Sequence, residues 1–504
     1  LPAFIKGGVV LKKISKKIMA LFLGIALILT LASGSVAYNG NYDPRRISVS
    51  AKYDGLTKGF CWYTDADTDS QVKIYLNGQD VTGNVVLSDI RSKQWEGSYM
   101  HKVTVSGLQG GKTYTYKVGD GNVWSKPGKF VTDDGDDSFD FITIADVQAS
   151  SLENFQKGAN TLAAALKTMP QAEFVANCGD FTNDSTNEEW NFYDQAFDEL
   201  NRSLTIVPVA GNHDGFAVHH WFENMFNLDT SESVQNLNGV NYSFDYGNAH
   251  IAVLNTNDLM SMSNAQLKWF KNDMNSTDKD WKIAFLHKSP YTLGKDGKWP
   301  DALYLQKSFA AVCDEVNVDL VMSGHDHMYL RTKPLVNNKP TPDGTVYVLA
   351  GTAGSKRYEV RPFLAEVFLR TKLIGALVIQ KNGYGNYWNG RDWNSTKDTN
   401  IGGCFSTVSV RGGKLELNAY ILADEKDANG QDVITKIDSI TLEKENGKNK
   451  ATYTGDNSTS LFDYILQAVP SVASLAKYAF GNWMPKFFFI LPYIIYVYAT
   501  DGVF

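Results

Sequence analysis

Between residues 44 and 132 the segments "GFCWYTD", "VKIYLNG", "HKVTVSGL" and "KTYTYKVG" alternate apolar and polar positions, with Gly, Asp and Asn at the breaks. A period of two sends successive side chains to opposite faces, so each segment reads as a strand with one buried face. Strands at this spacing predict a β-sandwich of about 90 residues. The acidic stretch "TDDGDDSFD", Thr132 to Asp140, follows and holds a domain boundary.

Beyond it the pattern changes. "FDFITIADVQ" reads as a buried strand, "LENFQKGANTLAAALKTM" has helical spacing, and "AEFVANCGD" is again a strand. "NEEWNFYDQAFDELNRSL" reads as a helix and "LTIVPVAGNHD" as a strand. Strands alternating with helices indicate βαβ units and a largely parallel or mixed sheet. "YSFDYG" and "HIAVLNT" predict a hairpin, "NAQLKWFKNDM" a helix, "DWKIAFLHKSP" a strand and "ALYLQKSFAAVCDEV" a helix. "VDLVMSGHDHMYL" and "GTVYVLAGTAG" follow as strands, and "CFSTVSVRGGKLELNAYIL" closes the domain as a hairpin turning at Gly412-Gly413. Residues 356–402, with the aromatic, Gly-rich "NGYGNYWNGRDWN", are either an active-site cap or a surface excursion. The organisation expected is a leader over 1–37, a sandwich over 44–132, an α/β domain over 138–425 and a C-terminal extension over 426–504.

The two ends add compartment. Lys12, Lys13, Lys16 and Lys17 precede an apolar run from Ile18 to Ala32, and Ser35-Val36-Ala37 offers small residues for cleavage. That is the signal-peptide pattern, with an uncleaved anchor as the alternative, and the residues before Val9 or Leu11 read as an upstream extension. The expected location is secreted or cell-surface. At the other end "KFFFILPYIIYVYA" has 13 apolar residues after Lys486, too few to span a bilayer alone. It reads as an interfacial segment, a docked helix or residues out of frame. Association with a membrane or cell envelope would run through one of these ends.

Composition narrows the class. The chain is 43% hydrophobic and 12% aromatic, as a globular protein is. Removing the leader takes five lysines and no acids, which leaves 43 basic against 55 acidic side chains and a net charge of −12. No basic excess points to nucleic acid. Cys61, Cys178, Cys313 and Cys404 are far apart in sequence, which excludes a disulfide-rich framework and reads as buried free thiols, with one long-range disulfide as the alternative.

The chemistry collects where strands end. The first strand of the α/β domain ends at Asp146 in "IADVQ", the next at Gly179-Asp180 in "CGDFTND", and a third at Gly211-Asn212-His213-Asp214. Later strands end at His287 in "FLHKSP" and at Gly324-His325-Asp326-His327. Ligands of open α/β sheets bind beyond the carboxyl ends of strands. Singly each element is ordinary: a strand-end Asp caps turns, and a lone buried His is usually a satisfied core residue. Carboxylates, imidazoles and one amide in this order, each after an apolar strand, suit Zn, Fe or Mn. His325 and His327, two apart, would aim at one spot if the extended geometry persisted past Gly324.

The ordered set DxQ, GDxxN, GNHD, LH and GHDH resembles the calcineurin-like metallophosphoesterases. "HKVTVSGLQGGKTYTYKVGDGNVWSKPGKF", His101 to Phe130, is similar to the end of the fibronectin-like domain that precedes the catalytic domain of purple acid phosphatases. The resemblance covers roughly residues 44–425 and implies a four-layer α/β/β/α sandwich behind an all-β fibronectin type III-like one. It implies two metal ions, with Asp180 bridging, Asp146 and His327 on the first, and Asn212, His287 and His325 on the second. It also implies hydrolysis of a small phosphomonoester by metal-activated water. His213 would lie near the leaving-group oxygen, with Asp214 either orienting it or capping the turn. A phosphodiesterase or nucleotidase with the same metal pair, and a catalytically degenerate surface-binding scaffold, are the competing readings.

Departures are plain. Asn183 stands where the purple enzymes have a Tyr, which puts their ligand-to-metal colour and ferric preference in doubt, and is counted among candidate substrate contacts. Gln148 stands where that group has Gly and the wider superfamily a His ligand; its oxygen either ligates the first metal or bonds a metal water. Substrate histidines downstream of His287 are missing, and His219 and His220 are the candidates for their place, against a surface or packing role. His101 and His250 lie inside strands and read as structural.

Overall fold

The computed structural model describes residues 43–214, 221–234, 239–257, 261–294, 300–358, 373–381, 384–388, 393–444 and 452–453. The leader, the aromatic tail, and the pair His219 and His220 lie outside the described residues. Among those described, no helix is long and apolar enough to cross a membrane.

The N-terminal part runs through β1 (Arg45–Lys52), β2 (Thr57–Thr64), β3 (Gln71–Leu76), β4 (Val86–Trp95), β5 (Ser98–Ser106), β6 (Thr113–Gly119) and β7 (Gly128–Val131). Antiparallel pairing gives one sheet in the order β4-β5-β2-β1 and another in the order β3-β6-β7. Their apolar faces meet over Val49, Phe60, Trp62, Ile74, Val103, Tyr116 and Phe130. This all-β domain is the one the alternating segments predict. β1 and β4 were not among them, because their sequences mix charge into the pattern: "RRISVSAK" buries Arg46 and Lys52.

The α/β part opens with β8 (Ser138–Ile144), α1 (Leu152–Thr168), β9 (Phe174–Asn177), α2 (Asn187–Arg202), β10 (Thr205–Pro208) and α3 (Trp221–Met225). Next come β11 (Tyr242–Tyr246), β12 (Ala249–Val253), α4 (Asn264–Ser276), β13 (Trp281–Lys288), α5 (Pro300–Lys307), α6 (Phe309–Val316) and β14 (Leu320–Gly324). β15 (Tyr329–Thr332), β16 (Val346–Ala350), β17 (Ile374–Lys381), β18 (Tyr384–Trp388), β19 (Trp393–Arg411), β20 (Lys414–Lys426) and β21 (Asp432–Glu443) complete it.

These strands form two stacked sheets. One runs β10-β9-β8-β19-β20-β21, parallel over its first three strands. The other runs β11-β12-β13-β14-β16-β15-β17-β18-β19, parallel from β12 through β16. β13 shows why both faces are covered. Ile283 and Phe285 face the core between the sheets, while Ala284 and Leu286 face the core under the helices. A strand buried on both faces is apolar throughout, as "IAFL" is. Phe141 of the first sheet meets Phe285 of the second edge-on, with centroids 5.9 Å apart.

Helices make the outer layers. α1 buries Phe155, Ala159 and Leu162, and α2 buries Trp190, Tyr193 and Phe197, the spacing of one helical face. α2 starts on a capping box in which Thr186 accepts from the Glu189 amide and Glu189 reaches back. The result is the mixed α/β, four-layer sandwich behind an all-β domain that the sequence led us to expect.

Three details differ from expectation. The predicted helix 302–316 is two helices, α5 and α6, broken at Ser308. The strand Asp432–Glu443 does not belong to a C-terminal extension: it pairs along all of β20, and its buried Asp438 takes both a bidentate ion pair from Arg331 (2.6 and 3.0 Å) and the Tyr329 hydroxyl (2.7 Å). The described part of 356–402 is mainly sheet. β19 there spans both sheets, pairing early with β18 and late with β8. All four cysteines are buried and none forms a disulfide, so the disulfide alternative falls.

Both structural histidines are held on two sides. His101 lies between the Thr64 and Ser70 hydroxyls (2.7 and 2.8 Å). His250 lies between Asp245 (2.7 Å) and Asp273 (2.9 Å). Burial alone would lower the His250 pKa, but these carboxylates hold it up to about 9. Because that lies above the unfolded value of about 6.5, the stabilisation is complete below pH 6.5 and is lost as pH rises through 9. His250→Gln is expected to destabilise by about 3 kcal/mol near pH 6 and by much less near pH 9.5. Urea unfolding at the two pH values checks this; an equal loss at both would contradict it.

Candidate metal centre

The six candidate ligands come from five chain segments that end on one side of the two sheets. Sharp turns make this convergence possible. Asp146, Asp180 and His325 have φ of 53°, 55° and 78°, left-handed values that turn the chain as each strand ends. Such strain at three strand ends is typical of functional sites. Two glycines mark where backbone must pass close by. A Cβ on Gly211 would stand 2.1 Å from the Asp180 amide and carboxylate, and one on Gly324 would stand 2.7 Å from the Asp146 carboxylate.

The side chains form two groups that share one member. Asp146, Asp180 and His327 place a ligand atom each within 4.8 Å of one another, and so do Asp180, His287 and His325. Asn212 joins the second group, its Oδ1 lying 3.1 Å from His287 Nε2. His325 and His327 therefore do not aim at one spot: strand geometry ends at Gly324, and each histidine enters a different group.

Hydrogen bonds fix which atoms face the centre. His287 Nδ1 donates to the Cys178 carbonyl (2.8 Å) and His327 Nδ1 to the Lys356 carbonyl (2.8 Å). Each then presents Nε2, 3.3 Å from Asp180 and 3.6 Å from Asp146 respectively. Holding the other ring nitrogen in this way is the usual support of a ligating imidazole. Tyr358 stacks on the His327 ring, with centroids 4.4 Å apart. The Asp146 carboxylate accepts the His325 amide at 2.9 and 3.0 Å, and Asp180 Oδ1 accepts the His213 amide at 2.9 Å.

Electrostatics separate the two carboxyls. Burial drives Asp146 well above the ordinary carboxylate range, and nearby Asp180 adds to the rise. Burial opposes ionisation of Asp180 too, but the charge and hydrogen bond of His287 hold it below that range. Burial would lower His287, yet Asp180 keeps it up to about 9. Burial pushes His325 well below its usual value and His327 down to about 3, so both are neutral, as metal ligands must be.

The donor set fits metal ions. Two buried carboxylates, three imidazoles and an amide oxygen are hard to bury side by side without cations. Gln148 adds a specific sign. It is 5% exposed, and among the described residues its Oε1 is a buried acceptor without a hydrogen bond.

The other site residues are placed as follows. His213 is half-buried, and its Nδ1 lies 2.5 Å from the Asn183 carbonyl. Asn183 meets His213 through this carbonyl, while its side-chain amide donates to Asp184 (2.8 Å). Asp214 does not orient the His213 ring. Its fully buried carboxylate accepts the amides of Gly211, Asp180, Phe181 and Thr182 at 2.7–3.2 Å. Of the two alternatives for Asp214, this is the turn cap. It ties two ligand loops together.

Supporting groups that the sequence reading missed include Thr352, which donates to the Asp146 carbonyl (2.7 Å), and Gly354, which has room for no side chain against Val147. They sit in "LAGTAGS" after β16. The strand-end rule used elsewhere looked for Asp, Asn and His; extending it to Thr and Gly would have found them. Asn257 likewise donates to the Gly211 carbonyl (3.1 Å).

Two family models match parts of this chain. Residues 139–329 match the calcineurin-like phosphoesterase family model, and residues 44–132 match that of the purple acid phosphatase N-terminal domain. Purple acid phosphatase 23 of Arabidopsis thaliana is 25% identical over 175 residues, 33% of this chain and 38% of that protein. Purple acid phosphatase 22 of the same plant is 23% identical over 270 residues, 51% of this chain and 59% of that protein. The chain thus spans between about a third and three fifths of the length of these relatives. A solved structure of PhoD shares the fold, with a TM-score of 0.57 at 11% identity, over 84% of this chain and 94% of that one.

Gly211→Ala is expected to force the Asn212 loop off Asp180 and to lower metal affinity on the order of 10- to 100-fold. Calorimetric titration with Mn²⁺ checks this. Unchanged affinity would show that the close approach is not needed.

Proposed function

We propose that this chain, with its calcineurin-like phosphoesterase domain behind a purple acid phosphatase N-terminal domain, is an exported hydrolase of small phosphomonoesters using two metal ions. The observation that carries this reading is the pair of ligand groups sharing Asp180. Asp146 and His327 complete the first group, and Asn212, His287 and His325 the second. The signal-peptide pattern supports export, and the relatives' names support the monoester.

When bound, two ions lower the pKa of a water and neutralise phosphoryl charge. The chain's own residues do the rest. Asp180 holds both sites in register. Asp214 keeps the loops of Asp180 and Asn212 together through four backbone amides. His213 acts on the substrate: the Asn183 carbonyl holds Nδ1, which leaves Nε2 to carry a proton toward the substrate. That proton goes to a phosphoryl oxygen or to the leaving group. Gln148 Oε1, buried and unsatisfied, completes the first site as an amide-oxygen ligand. With Asn183 in place of a tyrosine the loaded protein should lack tyrosinate-to-metal colour.

The test is hydrolysis of p-nitrophenyl phosphate and bis-p-nitrophenyl phosphate after reloading with Mn, Fe or Zn. Asp180→Ala should lower kcat/KM on the order of 10³-fold. Preference for the diester would replace the monoester reading, and metal binding without turnover of either would sink it. His213→Ala should lower kcat on an alkyl phosphate on the order of 10²-fold. The loss should be smaller on p-nitrophenyl phosphate, whose leaving group is a stable anion. Equal losses on both esters would assign His213 to phosphoryl binding alone.

A further inference from the structure

α3 is only five residues long, and a helix end leaves carbonyls without intrahelical partners. The N-terminal sheet supplies the missing donors. Ser48 Oγ donates to Met225 O (2.8 Å), and Cys61 Sγ and Tyr63 OH both donate to Asn224 O (3.1 Å each). Lys102 Nζ donates to Glu223 O (2.6 Å) and Phe226 O (2.7 Å). Asn227 returns the contact, its amide reaching Val103 O (3.0 Å). The approach is tight enough that a Cβ on Gly59 would stand 1.9 Å from Asn227 O. A positive charge at helix C-terminal carbonyls also meets the negative end of the helix dipole.

The other side of α3 faces the metal centre's support. Phe222 and Phe226 pack on Phe181, with centroids 6.4 and 5.3 Å away, and Phe181 adjoins Asp180. At the start of α3, Trp221 packs edge-on against Trp95 (5.8 Å) and lies under the Arg46 guanidinium (5.0 Å). Arg46 in turn donates to Asn191 of α2 (2.6 Å). Trp221 comes seven residues after Asp214 in the sequence.

From this contiguous set we infer that the N-terminal domain is a positioning element of the metal centre. Lys102, Tyr63, Cys61 and Ser48 seat α3, and α3 seats Phe181 and with it the bridging Asp180. The inference rests on the metal-site reading above and goes past bracing, in which the sandwich would lend stability alone. Lys102 and Tyr63 touch neither metal nor substrate; they act through α3.

The test uses the full chain with Lys102→Met, which keeps the stem and removes the donors, and Tyr63→Phe, which removes one hydroxyl. Three quantities are read: Mn²⁺ affinity by calorimetry, kcat and KM on p-nitrophenyl phosphate, and hydrogen exchange of the peptide covering 178–186. Lys102→Met is expected to weaken Mn²⁺ binding about tenfold and lower kcat with little change in KM. It should also speed exchange over 178–186 but not over 320–332. Tyr63→Phe should move the same quantities less, and it decides the matter if Lys102→Met does not fold. A lower melting temperature with unchanged Mn²⁺ affinity, kcat and exchange over 178–186 would leave the sheet a brace and overturn the inference. Wild-type protein that binds none of Mn, Fe and Zn would instead overturn the metal-site reading, and exchange over 178–186 would still report whether Lys102 holds Phe181 and Asp180.

Discussion

The structure is organised around two buried carboxylates. Asp146 and Asp180 lie at adjacent strand ends, both essentially inaccessible, with His327 grouped with both and His287 and His325 grouped with Asp180. Like charges in a low dielectric repel strongly, and each also loses its hydration. In the protein alone this tension is visible as one carboxyl driven up and the other held down by His287. Cations would relieve it, and His325 and His327 stand at the site as neutral imidazoles.

Burying such a set requires a rigid surround. Backbone supplies much of it: Cys178 and Lys356 carbonyls fix two imidazoles, and the amides of His213 and His325 fix the two carboxylates. Asp214 joins its own loop to residues 180–182, which lie 32–34 positions earlier in the chain. Further out, the shared strand β19 joins the two sheets, and α3 connects the centre to the N-terminal sandwich. The first sheet even continues across the two parts, since Ser50 of β1 pairs in parallel with Ile206 of β10.

What the sequence could tell follows from this construction. Asp146, Asp180, Asn212, His287, His325 and His327 were legible because each follows an apolar strand, and strand ends are where such sheets place ligands. The strands and helices were legible from apolar runs and from periods of 2 and 3.6, whereas the stacking of two sheets came only from the family resemblance. The role of Asp214 was not, since turn capping and orienting a histidine ask for the same residue at the same place. β21 was missed because it looks like a polar edge, "DVITKIDSITLE", until Arg331 is seen buried against Asp438. The sandwich's hold on α3 was invisible as well: its acceptors are backbone carbonyls, which carry no sequence signature.

The central claim is that one carboxylate, Asp180, is shared by two metal ions. Anomalous diffraction from crystals of the protein loaded with Mn, Fe or Zn tests it directly. The account predicts two peaks about 3.5–4 Å apart, one on each side of Asp180. The first should touch Asp146 and His327, the second Asn212, His287 and His325. A single peak, or two peaks not bridged by Asp180, would contradict it.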